Sequence, residues 1–245
     1  MGRAKVSPHS TIVIAPDIYS GSGRILENLV YMVEKRYAST LYVPTLRKPG
    51  RGLSLGKPIA SNTPRTLKKI LVNFDLPHPP SSIGDCIRLE RVLALMIAEK
   101  VGADTILVNF NRSLANMVAI ESLLKGEPWI LGDLEDHWIH KETLIVAPLA
   151  NVEAESIVAY GFLRGYMEDP TYRCKSLVDK IYYSIAWKRP ELEFSSTRSL
   201  SFLGQTAYFK GLNRCRVCKG YSPDEICPNC KRMGLERIKM QVEIM

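Results

Sequence analysis

Long apolar runs are missing from this chain of 245 residues. None approaches the roughly 18 residues that a membrane-spanning helix needs, so no membrane partner is expected. The first residues, Met1 to Val6, carry no apolar core of a signal peptide, and Val6 breaks the myristoylation pattern. A cytoplasmic protein is the expectation. Internal repeats and low-complexity segments are missing too. An intact phosphate loop of the Walker type is also absent. The stretch from Arg47 to Pro58 is rich in Gly, Pro and positive charge, but Arg51 stands where the first Gly belongs. Pro58 stands where Ser or Thr must hold magnesium, so this stretch reads as a mobile basic surface loop.

Positive charge is in excess. The formal net charge is +8 and the isoelectric point is near 9.2. That balance points to a polyanionic partner, most simply nucleic acid. A chain of this length can bury a substantial core, and one α/β domain with an appendage is the expected organisation.

Thr11 to Ala15 is a short β-branched run and reads as a buried strand. A helical pattern follows from Ser22 to about Lys35, with Ile25, Leu26, Leu29, Val30 and Val33 on one face. Between them lie Pro16, Asp17, Ile18, Tyr19, Ser20 and Gly21. A strand feeding a helix through a tight turn is where α/β proteins seat a phosphate, because the helix N-terminus presents free N–H groups. Further strands are expected at Thr40–Val43, Thr105–Asn109 and Thr143–Val146. Helices are expected from Pro64 to about Phe74, from Cys86 to Gly102, over about Leu114–Lys125 and Val152–Arg164, and from Thr171 to about Trp187. Alternating strands and helices imply right-handed crossovers and a parallel sheet, whose ligands bind outside the carboxyl ends of the strands. The turns after Ala15 and Asn109 are therefore singled out. Cys174 lies in the helical stripe of the last helix and reads as a core residue.

Cys215, Cys218, Cys227 and Cys230 form two CxxC pairs with eight residues between them. Each CxxC turn can aim two thiolates at one tetrahedral ion. The segment is too small to bury a core, so a structural zinc would supply its folding energy. A pair of disulfides, which needs an oxidising compartment, and redox or iron–sulfur use are the alternatives. Arg214, Arg216, Lys219, Lys231 and Arg232, with Lys210, Tyr208, Phe209 and Tyr221 nearby, are the candidate RNA contacts. Cations pair phosphates and aromatic rings stack on unpaired bases. His137 and His140, near Asp133, Glu135 and Asp136, read as a polar loop.

Pro80–Glu127, Ala147–Phe202 and the cysteine ribbon resemble the cytoplasmic tRNA 2-thiolation family of the ATP-pyrophosphatase superfamily. The matching segments are Val101–Asp104, Val108–Asn111, Leu123–Glu127 and Asp169–Arg173. The resemblance implies a parallel-sheet, adenine nucleotide alpha hydrolase-like domain over residues 1–204 and a four-cysteine zinc ribbon over 205–245. Catalytic members carry Ser-Gly-Gly-x-Asp-Ser in the first turn, Cys-x-x-Cys-Gly before a long helix, and a His-containing turn with two Asp. Here Pro16–Gly21 replaces the first, and Pro16 removes a donor while Ile18 and Tyr19 bring bulk. Ile83 and Cys86 stand for the cysteine pair, and no cysteine stands near Gly165–Glu168. Phe110 replaces the histidine, and Ser113 and Leu114 replace the aspartates. The resemblance thus implies a degenerate, non-catalytic subunit, of the tRNA 2-thiolation protein 2 type. Its implied partners are tRNA, a catalytic thiolase paralogue in a heterodimer, and a ubiquitin-like sulfur carrier.

Two alternatives stay open. In an ATP-dependent sulfurtransferase, Ser20–Gly23 would be a shifted phosphate loop, Asp17 would place magnesium and Cys86 would be the nucleophile. A helix-start thiolate favours that role for Cys86, and the loss of its partners favours a leftover. The other alternative is a zinc-ribbon RNA-binding module unconnected with thiolation.

Overall fold

The computed structural model describes residues 10–18, 23–34, 40–46, 67–134, 137–140, 142–165 and 211–244, together with 178, 182, 184–185, 188–189, 191–192, 194–196 and 199. The Arg47–Pro58 loop, Tyr19 to Gly21, Cys174, Tyr208 to Lys210 and most of the expected helix from Thr171 lie outside them.

In chain order the elements are β1 (Thr11–Ile14), α1 (Gly23–Glu34), β2 (Thr40–Leu46), β3 (Leu67–Asp75), α2 (Ile83–Val101), β4 (Thr105–Leu107) and α3 (Arg112–Leu124). A 3₁₀ segment at Pro128–Asp133 leads to β5 (His137–His140), β6 (Thr143–Val146) and α4 (Ala154–Arg164). The C-terminal part contains β7 (Asn213–Arg214), β8 (Tyr221–Ser222), α5 (Pro228–Met233) and β9 (Lys239–Ile244).

Seven strands form one sheet in the order β5-β6-β4-β1-β2-β3-β9. The five inner strands are parallel, and β5 and β9 close the edges antiparallel. The period-2 alternation of β1 sorts its side chains onto two layers. Val13 and Ala15 face a core shared with Ala94, Ile97 and Ala98 of α2. Ile12 and Ile14 face a second core with Ile25 and Leu26 of α1 and Ile157 of α4. Each fully buried Ile contributes about 1.5–3 kcal/mol relative to exposure.

Helix ends follow local chemistry. Ser82 caps α2 by accepting the Asp85 N–H, and Gly102, at φ 66°, closes it in the left-handed region. Asn111 caps α3 by accepting the Leu114 N–H at 2.9 Å.

Two expectations are corrected. The segment expected as a helix from Pro64 to Phe74 contains strand β3, which pairs with β2 on one side and β9 on the other. Ile70, Leu71 and Val72 are consecutive buried residues, as fits a strand covered on both faces. That run has no clear period, so the sequence alone cannot separate it from a helix. His137 and His140 lie in edge strand β5, paired with β6, instead of in a loop. β9 comes from the C-terminal segment expected as the ribbon, so that segment and the α/β part share one sheet. None of the described helices is long and apolar enough to cross a membrane.

Candidate metal centre

Two short turns bring the four ribbon cysteines together. In the first, the Cys215 N–H donates to the Gly220 carbonyl at 2.8 Å, and the Lys219 N–H donates to the Cys215 carbonyl at 3.0 Å. Lys219 accepts a left-handed φ of 60° to close this turn. In the second, Cys227 caps α5, its sulfur accepting the Cys230 N–H at 3.3 Å. The Cys227 N–H donates to the Cys215 sulfur at 3.3 Å and ties the turns together. All four sulfurs lie within 4.8 Å of one another, and all four residues are 0% exposed. Among the described residues this is the only group of three or more His, Cys, Asp or Glu able to hold a metal ion.

The thiols cannot all ionise alone. Hydrogen bonds from Cys218, Cys227 and Cys230 hold the Cys215 thiol far below its ordinary value. Burial and the contact with Cys215 push Cys218 up, but Cys227, Cys230 and the Arg88 charge outweigh them and bring it down to about 5. Cys227 and Cys230 are pushed up, first by their contacts with the ionised Cys215. A cation among the sulfurs removes that conflict, because it stabilises every thiolate at once. Four thiolates are a donor set for zinc or for iron–sulfur chemistry.

The ribbon is bolted to the α/β part by buried charge. Arg88 of α2 is fully buried. Its Nη1 donates to the Cys218 sulfur at 2.9 Å, and its Nη2 donates to the Tyr221 carbonyl at 2.8 Å. Nη2 also stands 2.5 Å from Asp133, which Arg91 pairs from the other side at 2.8 Å. Burial opposes the Arg88 charge, but Asp133 and the sulfurs of Cys218 and Cys227 outweigh it and hold Arg88 ionised. Gly220 fits here because it has no side chain: a Cβ would stand 2.1 Å from Arg88 Nη1 and 2.6 Å from Asp133 Oδ1. A second junction joins α2 to α5. Asp85 accepts from Ser81, from Asn229 at 3.0 Å and from Arg232 at 2.7 Å. Glu127 accepts from the same Asn229 and Arg232.

The sheet's topological switch point lies between β1 and β4, since the chain moves outward from β1 in both directions. Ala15 donates to the Leu107 carbonyl at 2.7 Å and draws the two following turns together. Pro16 is buried there and Asp17 is half-buried. Ile18 is 0% exposed and packs with Cys86, Leu89 and the metal cysteines. Across the switch point, Phe110 and Leu114 pack with Ile83 and Ile87. Ser113 Oγ accepts the Ala154 N–H at 2.8 Å. Cys86 is fully buried and carries a disulfide, so it presents no thiolate in this state.

The architecture can be set beside known proteins. No protein-family model matches the sequence, and no curated protein matches it. A structural match of TM-score 0.65 covers 94% of this chain and 82% of the other, at 13% identity. The other is the U34-tRNA thiolase NcsA from Methanococcus maripaludis with its 4Fe-4S cluster. This chain shares that thiolase's fold.

On that fold, the five candidate RNA contacts are distributed unevenly. The Arg214 guanidinium lies 3.6 Å from the centre of the Tyr221 ring. Arg216 pairs with Glu225 at 3.0 Å and Lys231 with Asp224 at 3.2 Å, all exposed. Lys219 donates to the Arg216 carbonyl. Arg232, still partly exposed, pairs with Asp85 and Glu127. Sequence reasoning missed Arg88, Asp85 and Asn229, since single polar residues in a helix carry no sign of burial, and it read Asp133 only as part of a polar loop. Gly220, two residues after Cys218, was the one local signal for a close approach.

Proposed function

We propose that this protein is a non-catalytic subunit of a tRNA wobble-uridine 2-thiolation complex, working beside a catalytic thiolase paralogue in the cytoplasm. The observation that carries the reading is the apolar filling of the switch point. Ile18, Phe110 and Leu114 occupy buried clusters where α/β sheets of this kind bind their ligands. Phosphate binding needs open backbone N–H groups and room, and buried Ile and Phe side chains supply neither. The shared thiolase fold supports tRNA as the nucleic acid, and the net charge of +8 supports a polyanion in general.

The ribbon, residues 205–245, is the second functional part in this reading, and zinc is its metal. Tetrahedral zinc with sulfur ligands at about 2.3 Å sets the sulfurs about 3.8 Å apart. Cys218 and Cys227 stand 3.8 Å apart. A four-iron cluster puts each thiolate on a different iron and spreads the sulfurs wider. Zinc bound to Cys215, Cys218, Cys227 and Cys230 would supply folding energy and no redox chemistry. Arg214, stacked on Tyr221, presents a flat cation to RNA, and Arg216, Lys219 and Lys231 flank it. A ubiquitin-like sulfur carrier would engage the catalytic partner.

The test is deletion of the gene in its native host, with nucleoside analysis of tRNA. Loss of wobble 2-thiouridine is expected. A normal 2-thiouridine level sinks the proposal.

A further inference from the structure

We propose that Arg88 is the charge-compensating partner of the metal–thiolate centre, a positioning residue that fixes Cys218 and sets how tightly the ribbon holds its ion. This rests on the reading of the four cysteines as a metal site, and it does not depend on tRNA or thiolation.

The charge count leads to it. Four thiolates and one divalent cation leave an excess of two negative charges. The cysteines are 0% exposed, so water does not screen that excess. Backbone N–H groups of Cys227 and Cys230 reach the sulfurs of Cys215 and Cys227, and they bring only partial charges. Arg88 brings a whole one. It is equally buried, and its Nη1 lies 2.9 Å from the Cys218 sulfur.

Asp133 explains how a lone arginine can wait there. Its carboxylate pairs with both Arg88 and Arg91 and accepts the Tyr221 N–H at 3.2 Å. Arg88, Arg91 and Asp133 together carry one positive charge, opposite in sign to the metal centre. Asp133 therefore aims Arg88 and also takes back part of its field. The 3₁₀ segment holding Asp133 comes from the α/β part, whereas Cys218 and Tyr221 come from the ribbon. The guanidinium sits at their seam, with Gly220 leaving the room it needs. Metal loading and closure of the ribbon on α2 thus share one group.

A purely structural ion pair would behave differently, because cutting it from either side would weaken the site alike. Charge compensation predicts opposite responses from the two sides. Removing the cation strips compensation from the thiolates. Removing the anion destabilises the fold but leaves the cation free to serve the sulfurs.

The experiment is competition for zinc between the full-length protein and a chromogenic chelator, well below the unfolding temperature, in the parent, Arg88→Gln and Asp133→Asn. Zinc content is measured in each. Arg88→Gln is expected to hold zinc at least about tenfold more weakly, within the range found when groups supporting metal ligands are removed. Asp133→Asn is expected to hold it as tightly as the parent or more so. Zinc held by Arg88→Gln within twofold of the parent overturns the proposal. So does a loss in Asp133→Asn equal to that in Arg88→Gln. If Arg88→Gln does not fold, Asp133→Asn decides alone: a tenfold loss overturns, an equal or tighter hold supports. A parent that takes up no zinc refutes the metal reading itself, which is a separate failure.

Discussion

The switch point and the cysteine ribbon are both buried and lie side by side, yet they are built from opposite materials. Around Ile18 and Phe110 the packing partners are apolar side chains and, beside Ile18, buried cysteines, and Asn111 and Ser113 have their polar atoms engaged in capping α3 and meeting α4. Around Cys218 the contacts are sulfur, guanidinium and carboxylate, all out of water. Apolar packing is stable without any ligand. Packed thiols beside a buried arginine are costly unless something balances them. A region packed like the switch point needs no ligand to be stable. A site still lined with unbalanced charge points to a ligand still in use.

Breaking the ribbon should have the largest effect. Cys230→Ser removes one of four ligands, and binding free energy on the order of 10 kcal/mol rests on a complete structural zinc shell. Zinc content should fall from one per chain toward none. Protection of the β9 amides from hydrogen exchange should fall with it, because β9 follows the cysteine turns within the same segment and pairs with β3. Full β9 protection in a zinc-free variant would detach the sheet edge from the metal.

On the other side of the comparison, Phe110→Ala should cost about 3–5 kcal/mol, as a buried aromatic leaving a cavity does. Denaturant unfolding reads this directly. A loss under about 1 kcal/mol would mean that the switch point is loosely filled. Gly220→Ala should cost about 1–3 kcal/mol, since its Cβ would stand 2.1 Å from Arg88 Nη1 and force the seam apart. An unchanged unfolding midpoint would contradict the close approach.

The smallest effect is a pH dependence at Asp85. Burial pushes its carboxyl up, but bonds from Arg232, Asn229 and Ser81 outweigh burial and hold it below the usual 3.8. A depressed folded value means the contribution is full above the unfolded value, near about 3.9, and is lost as pH falls through the folded one. The stability gap between the parent and Asp85→Asn should be constant near neutrality and close only below about pH 4. Taking the difference cancels metal release, which both proteins share. A gap that closes near pH 6 would assign it to another group.

These contrasts also mark what the sequence could tell. Strand β1, the CxxC pairs and the parallel order were readable because each has a local signature: a β-branched run, a fixed spacing, an alternation of strand and helix. Strand β3 was not, because Ile70, Leu71 and Val72 are buried in a row once β2 and β9 flank them. The edge strand β5 was obscured by its polar residues, His137 and His140. Arg232 reads as a surface cation until Asp85 and Glu127 arrive from more than a hundred residues away. The seam at Arg88 is a long-range fact of the same kind, since its partners are Asp133, Cys218 and Tyr221. The apolar filling proposed for the switch point rests on Ile18 and Phe110, whose residue types already argue for burial.

The most direct test of that filling is a calorimetric titration of the zinc-loaded protein with ATP and magnesium. No heat of binding up to millimolar nucleotide is expected. Saturable binding in the micromolar range, abolished by changing Gly21 and Gly23 to Ala, would contradict a closed nucleotide site.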